Sequence, residues 1–382
     1  MESDERILSF IAEWFDPQPQ IIKRYLLKYH CSTNEVEMKD IQTKRSFLKK
    51  TKVPPTLKQS DFTLGARILL LARDLQLTEY ADSTTRSLLE SEDELTVCVL
   101  MPVSYESLGE VVSMMEMKGG LTLVNMKSIS LRRDKEVHDV SKLLNVDIKE
   151  IVQPEPLVAM SFRGANSVAV VKTLIQSSSL VGHDARRINR LLVYPDNANE
   201  AIDYNNFFFV EKQFDTTATF EECTCCVIKP HAVKERLVGS ILRDILSRGF
   251  VLSAVSMFRL ERASAAEFLE VYGGVLPEYG EMVDEICSGS VVALEVRLKP
   301  QLGFASRSSG QDDQPLLGVV ETFRAHAGPW DVNMTKDLFP DTIRAIFGRD
   351  RIRNAIHCTD LAKDGVLECE YFFRILADLL FA

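Results

Sequence analysis

Alternation of apolar and polar positions over the first ninety residues predicts short β-strands joined by turns. The segment RILSFIAEWF is aromatic and apolar, and EVEMKDI alternates polar residues with Val36, Met38 and Ile41. Pro54 and Pro55 mark a loop, and GARILLLARDLQLTEYAD is typical of two strands around a turn. The pattern predicts a small β domain, such as a barrel closed by a helix.

Further along the chain the pattern changes to strands alternating with helices, and it occurs twice. In the second copy, apolar residues recur at helical spacing in LVGSILRDILSRGF. The matching strand-like segments are TVCVLMP (96–102) with CCVIKP (225–230), LVAM (157–160) with VVAL (291–294), and VYPD (193–196) with HCTD (357–360). The repeat predicts two tandem α+β domains.

Composition limits the classes of protein to which the chain belongs. Of its 382 residues, 46% are hydrophobic and 26% are charged, as in ordinary soluble proteins. No apolar run approaches the roughly 20 residues that span a bilayer, and the acidic start MESDERILSF lacks the features of a signal peptide. We therefore expect an intracellular protein with reduced thiols and no membrane partner. The net charge of −10 argues against a nucleic-acid partner.

Charge is distributed unevenly along the chain. Residues 1–88 contain 14 Lys and Arg against 12 Asp and Glu, whereas the whole chain has a net charge of −10. The first domain therefore carries +2 and the remainder −12. The basic residues include the run Lys44, Arg45, Lys49, Lys50 and Lys52. Such a run is either the solvated edge of a sheet or a contact surface for a negatively charged protein.

Three of the eight cysteines cluster in the segment CTCCVIK. Cys223 and Cys226 have CxxC spacing, which would fit a zinc site, but no second pair lies at zinc-finger spacing. The segment is also typical of a strand, with Cys223 and Cys225 on one face and Cys226 on the other. We favour small buried side chains over a metal site.

The stretch RAIFGRDRIRNAIHCTD (344–360) carries the candidate chemistry. His357 could serve as a nucleophile or a proton carrier, although a lone histidine is more often structural. The whole candidate set is Lys229, Arg324, Arg344, Asn354, His357 and Glu368. It offers three cations for a polyphosphate, an amide, a nucleophile and a carboxylate to orient that nucleophile. No P-loop motif and no Rossmann glycine motif is present.

Residues 223–382 resemble a nucleoside diphosphate kinase through VIKPHAV, LVG, SGSVVALEV, DTIRAIFG and IRNAIHCTD. The resemblance implies a ferredoxin-like βαββαβ fold and a ping-pong reaction in which His357 receives the γ-phosphate of a nucleoside triphosphate. By the same resemblance Lys229 binds sugar and phosphate, Arg324 and Arg344 hold the distal phosphates, and Asn354 contacts the sugar. The resemblance also implies that Glu368 orients the imidazole. It implies that Mg²⁺ bridges the phosphates without a protein ligand.

The second copy departs from the family pattern at several positions. The family's K-P-D is K-P-H here, with His231, which we interpret as a structural substitution. A threonine that contacts phosphate aligns with Trp330, and a substrate-side tyrosine aligns with Glu270, while Tyr272 lies nearby but out of register. These changes predict a surviving catalytic core with weakened nucleotide binding.

The first copy departs further from the family pattern. The family's lysine aligns with Met101, its asparagine with Arg190 and its catalytic histidine with Val193. A phosphohistidine cannot form at valine, so we expect the first copy to be inactive.

The first 85 or so residues resemble the DM-ten module of axonemal proteins, through FIAEWFDP, EVEMKDIQTKRSFLKKTK and DFTLGARILLLARDLQLTEYAD. The resemblance implies a pleckstrin-homology-like β fold and association with ciliary or flagellar microtubules. The order of modules resembles that of the homologue seven group of the kinase family. We therefore expect an α+β chain with a DM-ten domain at 1–90, a degenerate kinase domain at 93–215 and a kinase domain at 222–382.

The sequence supports two functions. The first, which we favour, is a structural protein of the cilium or flagellum axoneme, bound to doublet microtubules within their lumen and retaining residual kinase activity. Its partners would be tubulin and other microtubule inner proteins. The alternative is an active kinase, tethered to microtubules, that supplies nucleoside triphosphates locally.

Overall fold

The chain forms two compact units, residues 1–93 and 94–382, in a computed structural model. The residues described are 6–16, 21–55, 57, 61–62, 66–71, 73–92, 94–148, 156–178, 191–299 and 318–379. Within these ranges no helix is long and apolar enough to cross a membrane. All eight cysteines are free thiols.

The first unit is a six-stranded antiparallel sheet in the order β4-β3-β2-β1-β6-β5. Val36 and Met38 are buried as the alternation predicts, whereas Ile41 lies beyond the end of its strand and is exposed. Strand pairing in the described part ends at β4 and β5, so these two strands are the sheet edges. The elements are β1 (Ile7–Asp16), β2 (Ile21–His30), β3 (Glu35–Asp40), β4 (Ser46–Lys52), β5 (Arg67–Leu70), β6 (Arg73–Tyr80) and α1 (Ser83–Glu92).

The second unit contains an eight-stranded sheet in the order β10-β7-β9-β8-β12-β13-β11-β14, and its paired strands are antiparallel. Its strands are β7 (Glu94–Leu100), β8 (Thr122–Ile129), β9 (Leu157–Gly164), β10 (Leu192–Val193), β11 (Cys223–Ile228), β12 (Phe250–Arg259), β13 (Ser290–Leu298) and β14 (Ile356–Cys358). Each half contributes four strands, numbered here in chain order within that half. In both halves the second strand lies at the centre of the sheet, and the third, first and fourth follow outward. This is a mixed α+β architecture with a ferredoxin-like strand order.

Helices cover the sheet of the second unit and connect its strands. They are α2 (Leu108–Ser113), α3 (Asp134–Leu144), α4 (Ser167–Ser177), α5 (Ala198–Asn205), α6 (Pro230–Lys234), α7 (Val238–Ser247), α8 (Arg262–Phe268), α9 (Tyr279–Cys287), α10 (Val319–Ala327), α11 (Val332–Leu338), α12 (Ile343–Phe347), α13 (Gly365–Glu370) and α14 (Ala377–Leu379). Helix α7 buries Val238, Ile241, Leu242 and Ile245, the residues at helical spacing. The chain then reverses at Gly249, whose φ of +85° favours glycine.

The two halves of the second unit meet where β8 pairs with β12 and α2 crosses α7. The helices approach closely because each presents a glycine at the crossing. A Cβ added to Gly239 would lie 2.0 Å from the backbone nitrogen of Ser113, and one added to Gly109 would lie 2.3 Å from that of Arg243. One continuous apolar core, containing residues of both halves, surrounds this crossing.

A buried carboxyl group also lies at the crossing. Glu116, only 1% exposed, accepts a hydrogen bond from the backbone N–H of Gly239 at 2.8 Å through Oε2. Its Oε1 is buried and has no hydrogen-bond partner in the described part of the chain. Burial raises the pKa of Glu116 to about 7.

We expect Glu116→Gln to stabilise the protein at pH 8 but not at pH 5. A raised carboxyl pKa means that the folded state retains a proton that the unfolded state loses above about pH 4.5. The native chain therefore loses stability as pH rises from about 4.5 through 7, and glutamine removes that loss. Urea unfolding at the two pH values should show a gain of about 3 kcal/mol at pH 8. Equal effects at both pH values, or a gain in the exposed control Glu281→Gln, would contradict this assignment.

Candidate active site

His357 lies in the middle of the edge strand β14, opposite Val227 of β11. Its Nε2 is 2.8 Å from Oε2 of Glu368, which also accepts a hydrogen bond from Oγ1 of Thr359 at 3.0 Å. Because a carboxylate accepts, Nε2 carries the ring proton and Nδ1 keeps a lone pair. The ring of Phe268 packs edge-on against the imidazole with centroids 4.8 Å apart. The histidine is thereby fixed in both tautomer and orientation.

Glu368 reaches His357 because α13 packs closely on β11. Gly365 begins this helix, and a Cβ there would lie 2.4 Å from the carbonyl oxygen of Cys223. A larger residue would force the helix away from the strand and the carboxylate away from the ring. The hydrogen bond between His357 and Glu368 therefore depends on glycine at position 365.

A cavity of about 220 Å³ opens in front of His357. Lys229, which follows β11, lines it and is 4% exposed, with Nζ donating to the carbonyl oxygen of Ile352 at 2.8 Å. Burial and the neighbouring Arg344 lower the pKa of Lys229 to about 7. An anion entering the cavity would favour the charged form of this lysine.

Arg344 and Asn354 reach the same cavity from α12 and from the segment before β14. Arg344 donates through Nη1 to the carbonyl oxygen of Gly328 at 2.7 Å, whereas its buried Nε has no partner among the described residues. Asn354 is fully buried and donates through Nδ2 to the carbonyl oxygen of Trp330 at 3.3 Å, but its Oδ1 lacks a partner there. Each side chain thus keeps one unused hydrogen-bonding atom.

Arg324 on α10 forms an ion pair with Asp360, three residues after His357. The hydroxyl of Tyr272 donates to the other carboxylate oxygen of Asp360, and the Tyr272 ring lies 6.5 Å from the imidazole. All three residues line the cavity. An incoming phosphate would compete with Asp360 for Arg324.

Comparison with known proteins places this site in a family. The family model for nucleoside diphosphate kinase matches residues 222–376. A mouse protein named nucleoside diphosphate kinase homolog 7 is 35% identical over 387 residues, which cover 96% of this chain and 93% of the mouse protein. The rat protein of the same name is 34% identical with the same coverage.

The chain belongs to the nucleoside diphosphate kinase homolog 7 family.

Two shorter matches cover only part of the chain. A nucleoside diphosphate kinase from Aquifex aeolicus is 30% identical over 152 residues, which are 40% of this chain and 94% of that protein. An orthorhombic crystal structure of the Aquifex aeolicus enzyme matches 41% of this chain and 96% of its own, with a TM-score of 0.33.

In this family member, the structure gathers the six residues singled out from the sequence around one cavity. Five of them line it: Lys229, Arg324, Arg344, Asn354 and His357. Glu368 lies behind the imidazole and contacts it directly. Among the other residues that line the cavity, Tyr272 offers a hydroxyl and Asp360 a carboxylate, and neither was in that set. Spacing from His357 could have suggested Asp360, whereas the sequence placed Tyr272 near the position of the family's tyrosine but out of register.

His231 contacts Glu285 and the backbone and is not among the residues that line the cavity. Its Nδ1 lies 2.7 Å from Oε1 of Glu285, and its Nε2 accepts from the backbone N–H of Ala355 at 3.3 Å. Ala355 adopts a left-handed conformation, with φ of +71°, two residues before His357. The histidine therefore helps to hold a strained turn beside the catalytic strand. This arrangement fits the interpretation of His231 as a structural substitution.

Trp330 forms one wall of the cavity. The guanidinium of Arg351 lies 4.5 Å from the centroid of the Trp330 ring and forms an ion pair with Glu278 at 3.0 Å. Glu270, which aligns with the family's tyrosine, lies on the turn Glu270–Tyr272, is exposed and is not among the residues that line the cavity. The out-of-register Tyr272 faces the cavity instead.

The first half of the second unit has the same strand pairing as the second half, but it lacks the lysine and the histidine of the candidate active site. Val193 of β10 pairs with β7 as His357 of β14 pairs with β11. The backbone N–H of Met101 donates to the carbonyl oxygen of Leu191 at 2.9 Å, as that of Lys229 donates to Ala355. Met101 and Val193 are both buried and apolar, so they offer neither a cation nor a nucleophile. Arg190, aligned with the family's asparagine, is outside the described residues.

Proposed function

We propose that the second half of the second unit acts as a nucleoside diphosphate kinase through His357. The observation that supports this most directly is the hydrogen bond between Nε2 of His357 and Glu368, which leaves Nδ1 as the nucleophile. The cationic residues Lys229, Arg324 and Arg344 would receive a polyphosphate. Asn354 would contact the sugar.

The reaction would proceed in two half-reactions. In the first, the Nδ1 lone pair forms a bond to the γ-phosphorus while the bond to the bridging oxygen breaks, and the nucleoside diphosphate leaves with that electron pair. Positive charge that develops on the imidazole is stabilised by the carboxylate of Glu368. In the second half-reaction, the terminal oxygen of another nucleoside diphosphate takes the phosphoryl group and restores the free histidine.

Magnesium would enter this site with the nucleotide. Among the described residues that line the cavity, Asp360 is the acidic one, and it is already bonded to Arg324 and Tyr272. These residues fit a Mg²⁺ ion that is held by phosphate oxygens instead of by protein carboxylates. The ion would neutralise charge on the phosphates during transfer.

Labelling with γ-labelled ATP tests the proposal. The full-length chain should gain an acid-labile, base-stable label that passes to added GDP, because phosphohistidine has those properties. His357→Ala should abolish the label, whereas His138→Ala, at an exposed position on α3, should leave it unchanged. Absence of label at millimolar ATP in a folded protein would overturn the proposal.

We also propose that the first unit is a DM-ten-like, pleckstrin-homology-like domain that attaches the chain to doublet microtubules of the ciliary or flagellar axoneme. The supporting feature is the edge strand β4, on which Lys49, Lys50 and Lys52 are exposed. Lysines on an open edge would attract an acidic surface such as that of tubulin. A luminal position and contact with other microtubule inner proteins are part of this proposal. The first half of the second unit would then serve as a building block.

Co-sedimentation with salt-extracted axonemes tests the attachment. The double variant Lys49→Glu, Lys52→Glu should weaken binding at physiological salt. Arg67→Glu changes a residue on the opposite edge strand β5 and should bind as the native chain does. If the native protein remains in the supernatant and is diffuse in cells, this proposal fails while the kinase proposal stands.

A further inference from the structure

A cluster of thiols and one carboxylate lies in the core behind the active site. Cys223 and Cys225 project from the same face of β11 into the same apolar core as Cys369 of α13, whereas Cys226 belongs to the core on the other side of the sheet. Glu295 of β13 is fully buried beside them. The potential ligand atoms of Cys223, Glu295 and Cys369 lie within 4.8 Å of one another.

The environment of Glu295 is unusual for a core carboxylate. Its Oε1 accepts from the backbone N–H of Thr219 at 2.6 Å, from the hydroxyl of the same residue at 2.9 Å, and from that of Ser253 at 2.5 Å. Its Oε2 accepts from the backbone N–H of Phe220 at 3.1 Å. These donors are neutral, and no ion pair reaches Glu295 within the described residues. Oε2, with a single donor, retains capacity for another partner.

The cluster has the composition of a site for a thiol-binding metal ion. Cysteine thiolates with a carboxylate suit Zn²⁺, whose bonds to sulfur are about 2.3 Å long. Tetrahedral zinc would hold two such sulfur atoms roughly 3.8 Å apart, so ligand atoms within 4.8 Å need only a small contraction. Cys225, which projects into the same core as Cys223 and Cys369, is the neighbouring side chain that would complete a fourfold shell.

We propose that Cys223, Glu295 and Cys369 bind a zinc ion. Each coordinating thiol would release its proton as the metal binds, so the two thiolates would balance the charge of the ion, and the buried carboxylate would gain a direct bond to the metal. Because Cys369 directly follows Glu368, the metal would also fix the turn of α13 that orients His357. The proposed role is to position Glu368, without contact with substrate.

Metal analysis of the full-length chain tests this proposal and requires no nucleotide. Protein purified without chelator should carry about one zinc ion per chain. Unfolding, removal of metal and refolding with Co²⁺ should give the thiolate-to-cobalt charge-transfer band of a tetrahedral site. Glu295→Gln and Cys369→Ala should each weaken metal binding by at least about tenfold. Cys226→Ala, on the opposite face of β11, should bind metal as the native chain does and serves as the matched control.

Two results would overturn the proposal. One is folded native protein that carries no zinc and gives no charge-transfer band with Co²⁺. The other is equal metal binding by the native chain and by both Glu295→Gln and Cys369→Ala, since the metal would then lie elsewhere. If Cys369→Ala fails to fold, the more conservative Glu295→Gln still decides, because glutamine can keep most of the hydrogen bonds to the carboxylate while losing its charge.

Discussion

Replacing Gly239 by valine is expected to destabilise the second unit by at least about 3 kcal/mol. The added Cβ would lie 2.0 Å from the backbone nitrogen of Ser113 and 2.4 Å from its Cα, so helices α2 and α7 would have to separate. Backbone atoms cannot yield as the end of a flexible side chain does. Separation would also break the hydrogen bond from Gly239 to the buried Glu116.

Thermal unfolding followed by circular dichroism measures this effect. For a unit of this size the apparent Tm should fall by roughly 10 °C. Gly280→Ala is the matched control, since Gly280 lies in helix α9 and a Cβ there meets no atom within 4 Å. Alanine at that position should change stability by less than about 1 kcal/mol, in the stabilising direction. A similar Tm for Gly239→Val and the native chain would show that the helices do not cross at these glycines.

Glu368→Gln is expected to slow labelling of the chain by ATP about 10²- to 10³-fold, which corresponds to roughly 3–4 kcal/mol in the barrier. Glutamine can still accept the proton of Nε2, but it has no negative charge to stabilise the imidazole as the phosphorus bond forms. Its amide can also turn a donor toward the ring and select the wrong tautomer. The loss should therefore appear in the rate of phosphoryl transfer more than in nucleotide affinity.

Rapid-quench labelling at saturating ATP separates that rate from binding. Glu370→Gln is a suitable control, because it removes a carboxylate from the same helix whose partner is Arg374 at the surface. That variant should label within about twofold of the native rate. If Glu368→Gln also does so, the carboxylate holds the histidine without contributing charge, and the proposed mechanism needs another source of stabilisation.

Much of the second unit was predictable from residue pattern. The repeat indicated two similar halves, and strand register now pairs Val193 with β7 as His357 pairs with β11, in agreement with the alignment of those two residues. The candidate set was found because each residue type suits phosphate chemistry and several lie close together in sequence. The boundaries assigned to the second and third domains stay predictions, since the two halves share one sheet and one unit.

The features that the sequence did not predict depend on contacts between residues that are far apart in the chain. Tyr272 reaches the cavity from the turn Glu270–Tyr272, whereas an alignment without gaps places Glu270 at the position of the family's tyrosine. Glu295 and Cys369 join Cys223 only when three distant segments pack together. The strand order of the first unit, with β4 and β5 at the edges of the described sheet, was also beyond the sequence, because alternation predicts strands but not which strands pair.

The eight-stranded sheet has both of its halves on one covalent chain. Association of the halves is therefore unimolecular, and its equilibrium does not shift with protein concentration as that of a dimer of separate chains would. Dilution to nanomolar levels would leave the apolar core between the halves closed. Where only a few copies of the protein are present, each copy would therefore still have an assembled site.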